Sequence, residues 1–162
     1  MKKLLSASLI AAMLSMPAMA EDSPSISVKR LTLESAARIA QGAIDACREK
    51  GVQIGVTVVD RNGNVQVAMR DSLAPTITLP ISQGKANAAT QFSVNTAALA
   101  DRADTPIGRV PGLVMSTGGV VIQAAGSFYG AVGVSGAPSG KTDEECALAG
   151  AETVIEDLEM AM

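Results

Sequence analysis

Residues 130–146, reading Gly-Ala-Val-Gly-Val-Ser-Gly-Ala-Pro-Ser-Gly-Lys-Thr-Asp-Glu-Glu-Cys, constrain the fold of this chain more than any other stretch. Gly130, Gly133 and Gly136 recur at three-residue intervals in what otherwise reads as a strand. A strand that gives up side chains at that rate needs something close against its face: a helix, a ligand or another subunit. Two readings of the glycines stand. An internal helix fills the shallow surface, or a second copy of the chain docks there, and the second reading predicts a homo-oligomer with contacts through 130–136 or the faces beside it. After the turn Pro138-Ser139-Gly140, Thr142 and Glu145 have the spacing of a capping box, which predicts a helix starting near Thr142.

The rest of the chain supplies the other elements. Thr32 as N-cap, Glu34 in the first turn, Arg48 and Lys50 in the last and Gly51 beyond them predict one helix. Its apolar stripe is Leu33, Ala36, Ala40, Ala43, Ile44 and Cys47. Apolar runs at 54–60 and 65–70 flank Arg61-Asn62-Gly63-Asn64, and Asn-Gly is the preferred pair for a type I′ hairpin turn. A helix is predicted over 81–92, with Pro80 at its start, followed by a short one capped by Thr96. Residues 103–117 read as an irregular loop of a length that is often functional. A second hairpin joins 120–124 to 128–134 across Ala125-Gly126-Ser127, and a last helix runs from 142 to about 158. The sum is an α+β fold, an antiparallel sheet of four to five strands flanked by helices, in a single domain over 31–162 preceded by a short arm, 21–30. With two Phe, one Tyr and no Trp, the core is made of Ala, Val, Ile, Leu and Met, which favours close helix-on-sheet contact.

Residues 1–20 carry Lys2 and Lys3, then an apolar run, then Ala18-Met19-Ala20, the order of a secretory signal peptide cleaved before Glu21. That run of about 13 residues is short of the ~20 needed to span a bilayer. The mature protein is therefore expected to be periplasmic or secreted, without membrane insertion. Export permits a disulfide between Cys47 and Cys146, and two free buried cysteines are the alternative. The net charge of −3, with scattered Lys and Arg, argues against nucleic acid as a partner.

Residues 130–145, with Leu31-Thr32-Leu33-Glu34 and Gly84-Lys85-Ala86, resemble the GlcG/HbpS-like haem-binding (haem-degrading) family over about residues 31–158. The resemblance implies a profilin-like α/β sandwich, assembly into homo-oligomers, and haem as the bound cofactor. The chain has no histidine, which removes the usual proximal haem ligand and every Ser-His-Asp or Cys-His centre. Bound iron would fall to Met, Tyr, Cys, a weaker oxygen ligand, water or a neighbouring subunit, and Met69, Met115 and Tyr129 are the candidates. Arg70, Lys85 and Arg109 are candidate partners for the propionates. Each has a plainer reading: gap-filling methionine, core tyrosine, surface charge, or, for Lys85, a stem laid along apolar surface with its ammonium in water. The acidic run Asp143-Glu144-Glu145 is the charge expected at a helix N-terminus. No nucleotide-binding glycine fingerprint and no catalytic residue is assigned. The readings that remain are an exported haem-binding or haem-handling protein, a non-catalytic small-molecule sensing or accessory module, and an enzyme degrading haem.

Overall fold

Thr32 caps helix α1 (Leu33–Glu49) by accepting a hydrogen bond from the Ser35 amide, and Gly51 closes it at φ +73°. The structure, a computed structural model, describes residues 24–161, so the expected signal peptide and its cleavage point lie outside the described residues. The buried stripe of α1 is Ala36, Ile39, Ala40, Ala43, Ile44 and Cys47. Leu33, expected in that stripe, is 63% exposed. Helical side chains lean toward the N-terminus, so the first residue projects past the end of the packed surface.

Strands β1 (Gly55–Asp60) and β2 (Val65–Arg70) pair antiparallel, as do β3 (Gly119–Ala124) and β4 (Ser127–Ser135), and β1 pairs with β4 to give the order β2-β1-β4-β3. The two turns exchange the geometries that their sequences suggest. At Asn62-Gly63 only the glycine has positive φ, and the Asp60 carboxylate organises a wider loop by accepting from the Asn62 and Asn64 amides and the Asn64 side chain. The pair with positive φ at both residues is Ala125-Gly126, at 44° and 76°, which is the type I′ pattern.

Helix α2 (Thr78–Phe92) begins three residues before the expected start, with Pro80 in the first turn, where its missing N–H removes no intrahelical bond. Helix α3 (Gly140–Met160) is capped by Ser139, whose hydroxyl accepts from the Thr142 amide at 3.1 Å. The expected Thr142–Glu145 box is therefore not the cap, and Glu145 instead pairs with Lys50 at 3.0 Å. Thr96 opens a 3₁₀ turn (Thr96–Arg102) without capping it; its hydroxyl accepts from the Gly119 amide at 2.8 Å and ties that turn to β3. A second 3₁₀ turn (Pro106–Arg109) lies in the loop expected to be irregular.

Helices α1 and α3 lie side by side on one face of the sheet, joined by the Cys47–Cys146 disulfide, over Val56, Val58, Val120, Ile122, Val132 and Val134. Helix α2 covers the other face, where Val59 and Ala131 meet Ala86 and Ala89, and Thr57 meets Ser82 through a 2.8 Å hydrogen bond. A Cβ at Gly133 would stand 2.0 Å from the Ser82 carbonyl and 2.6 Å from the Ala86 amide. Gly133 thus seats α2, whereas Gly130 and Gly136, at φ +151° and +135°, lie against the backbone of Val59-Asp60 and of Gln53-Ile54. β4 is an interior strand with helices on both faces, so within the chain the faces of 130–136 are already covered, and a subunit contact there would have to use the surfaces beside the strand.

Candidate functional site

The side of α2 turned away from the sheet carries Gln83, Asn87, Gln91 and Phe92, and the loop after Arg109 returns along it. Val114 donates its amide to the Gly84 carbonyl at 3.1 Å, and the Asn87 amide group donates to the Gly112 carbonyl at 3.3 Å. Gly84 makes this docking possible, since a Cβ there would come within 2.5 Å of Val114. Between the loop and the β1–β2 turn runs an open cleft of about 430 Å³. Asn62 and Gly63 form one wall, Asn87, Gln91 and Phe92 the floor, and Ile107, Val110, Pro111 and Leu113 the other wall. A further section of about 340 Å³ continues past Asn87 and Leu113 to Gln83, Pro80 and Val114. These volumes are those of small-molecule sites, as is the pairing of an apolar wall with a few amides.

No charged side chain lines either section, but cations stand beside it. The Arg102 guanidinium lies 5.8 Å over the Phe92 ring, and Arg109 sits on the wall loop between Ile107 and Val110. The two 3₁₀ turns that carry them are packed backbone to backbone: a Cβ at Gly108 would meet the Ala103 and Arg102 carbonyls at 2.1 and 2.7 Å. The opposite wall depends on Asp60. Burial pushes its carboxyl up, but the Asn64 side chain, the Asn64 and Asn62 amides and Arg30, 3.3 Å away, outweigh burial and hold it below the usual carboxylate range. On the floor, the Asn87 Oδ1 is buried without a hydrogen-bond partner, at a typical cost of about 1–3 kcal/mol.

Lys85 neither snorkels nor faces the cleft. It is 3% exposed, with Nζ donating to Asp143 Oδ2 at 2.7 Å and to the Val134 carbonyl at 2.9 Å. Asp143, equally buried, also accepts from the Ala137 amide at 2.9 Å, so it does more than complement the dipole of α3. Arg70 turns its guanidinium onto the Ala74 and Asp71 carbonyls at the end of β2. Tyr129 packs into the core under α1 and α3, with Met69 partly buried against that core, whereas Met115 is buried on the α2 side with Ala88 and Leu99, one layer behind Phe92 and Leu113. The structure therefore does not bring Met69, Met115 and Tyr129 together, and none of them lines the cleft.

A family model described as "Haem degrading protein HbpS-like" matches residues 31–152. The chain belongs to the HbpS-like family. A double mutant of HbpS from Streptomyces reticuli is 32% identical, with 93% of this chain and 99% of that one covered at a TM-score of 0.77. A structure of HbpS is 34% identical over 83% of this chain and 97% of that one, at a TM-score of 0.76. A complex of PduOC with haem shares the fold at 21% identity, covering 76% and 94% of the two chains at a TM-score of 0.70. Among curated proteins none matches significantly. The four-stranded antiparallel sheet with flanking helices is thus an HbpS-like α+β fold.

Within this HbpS-like chain, the residues that line the cleft were not singled out by their types. Asn62, Asn87, Gln91 and Phe92 are ordinary turn and helix residues in sequence. The length of the 103–117 loop pointed toward one wall; the floor would have needed the spacing of Asn87 and Gln91, one helical turn apart on the side of α2 away from Ala86 and Ala89, to be read as a polar face. Among the described residues no cluster of acidic or cysteine side chains could hold a metal ion, and no helix is long and apolar enough to cross a membrane.

Proposed function

We propose that this HbpS-like chain is an exported haem-binding protein that holds the porphyrin in the cleft beside α2. The observation that carries the reading is the apolar wall of Ile107, Val110, Pro111 and Leu113 set across from Phe92, in a chain matched by a haem-degrading family model. That lining suits the apolar faces of a porphyrin. It does not suit the iron: no lining side chain is Cys, Met or Tyr, the chain has no histidine, and both cysteines are bridged. Binding is therefore assigned to the ring, and no chemical step is assigned to the metal.

Export is supported by the signal-peptide order of residues 1–20 and by the disulfide, a bond that persists in oxidising compartments such as the periplasm. Assembly into a homo-oligomer is supported by the family resemblance and by Leu73 and Ile77, 81% and 59% exposed in the connection between β2 and α2. The test is an absorbance titration with haemin. A saturable Soret shift at one haem per chain is expected, and neither shift nor saturation at equimolar haem would leave a sensing or accessory module for another small molecule. Degradation of haem is a second reading favoured by the family's description; bleaching of the Soret band with release of iron under reductant would establish it.

A further inference from the structure

We infer that the cleft recognises a tetrapyrrole by its ring and its carboxylates, with Arg102 and Arg109 taking the carboxylates, and is indifferent to the metal at the centre. The inference rests on the haem-binding reading and names which parts of that ligand the protein senses. The first observation is the inventory of donors. Tyr129 is buried in the core on the far side of the sheet and Met69, partly buried, packs against that core from the edge strand, Met115 is 3% exposed behind the cleft wall, and Cys47 and Cys146 are joined to each other. A metal that gains no ligand from the protein adds no coordinate bond to the affinity.

The second observation is the placing of charge. A tetrapyrrole with propionates is an apolar plate with two carboxylates on one edge, and the cleft has the complementary arrangement. Its lining is uncharged, while the two packed 3₁₀ turns at its border carry Arg102, already over the Phe92 ring, and Arg109, next to two wall residues. Both are exposed, and their described bonds are weak ones, a ring contact at 5.8 Å and a 3.4 Å bond from Arg109 to the Asp104 carbonyl. Asp101 and Asp104 on the same segment are exposed as well, so what draws a carboxylate is the local fork of each guanidinium and not a net positive field.

The test uses the full oxidised chain titrated with haemin, by absorbance, and with metal-free protoporphyrin IX, by fluorescence, in the native protein and in an R102Q/R109Q double variant. Affinities for the two porphyrins within about threefold of each other are expected, with the variant weaker by about tenfold for both. The native affinities should fall with added salt more steeply than the variant's. Circular dichroism of the variant should be unchanged, since both arginines are exposed. Haemin binding more than tenfold tighter than the metal-free ring, or a variant that binds as the native chain does, overturns the inference while leaving haem binding intact. Failure of both porphyrins to bind removes the haem reading and this inference with it.

Discussion

Lys85 and Asp143 bury opposite charges 2.7 Å apart, between α2 and the first turn of α3, with the Val134 carbonyl and Ala137 amide completing the set. Taking two such charges out of water costs several kcal/mol each, and only mutual pairing and added hydrogen bonds offset it. Removing one partner leaves the other charge buried alone, so Lys85→Met should lose about 3–5 kcal/mol in urea unfolding, and pairing it with Asp143→Leu should recover most of the loss. A single variant within about 1 kcal/mol of the native chain would show that water reaches the pair. Acid acts on two other carboxyls. Hydrogen bonds from Arg48 hold Asp71 at about 2, and the donors around Asp60 hold it below its ordinary value. Both values are depressed in the fold, so the stability they contribute is complete above the unfolded values near about 4 and is lost as pH falls from there toward about 2. The urea midpoint should stay level from pH 7 to 5 and fall between about pH 4 and 2, less steeply in Asp71→Asn. A native midpoint that holds down to about pH 2.5 would contradict this.

Among the elements, the ends of α1 were legible because their signals are local, Thr32, Glu34, Arg48 and Gly51 acting within one turn of the helix ends, while its buried stripe was read with Leu33 in it and Ile39 left out. The turns and the cap of α3 were legible only in part. Asp60 outcompetes the Asn-Gly preference by offering its carboxylate to the loop, and Ser139 sits one helical turn ahead of the Thr142 that the spacing favoured. The glycines announced a close neighbour, and at Gly133 that neighbour is the internal helix α2. Whether α2 or another chain filled that space depends on the path of a helix that begins more than fifty residues upstream, which no local pattern encodes. Even one added methyl at Gly133 drives into the Ser82 carbonyl, so Gly133→Ala should cost about 3 kcal/mol or more. The loss should appear as a lowered thermal midpoint, with the mass of the folded fraction by light scattering unchanged. A variant of native stability that dissociates would return the glycines to a subunit contact.

At the scale of the whole molecule, the three-layer arrangement places chemistry away from the residues whose types attracted attention. Charged Lys85 and polar Tyr129 end up in the interior because both faces of the sheet are covered, while the cleft forms where three separate stretches meet: the Asn62-Gly63 turn, the outer side of α2 and the loop around Pro111. Such a site is written in tertiary geometry, so the sequence suggested its loop and left its floor invisible. The disulfide adds a long-range restraint, closing residues 99 apart between α1 and α3, worth about 4–5 kcal/mol in the chain-entropy account. Occupation of the cleft beside α2 by haem is tested by titrating haemin into Gln91→Trp, where an exposed floor residue becomes an indole that fills the slot. Binding at least about tenfold weaker than native, with circular dichroism unchanged, is the predicted result. Binding of native affinity and stoichiometry in that variant would contradict it.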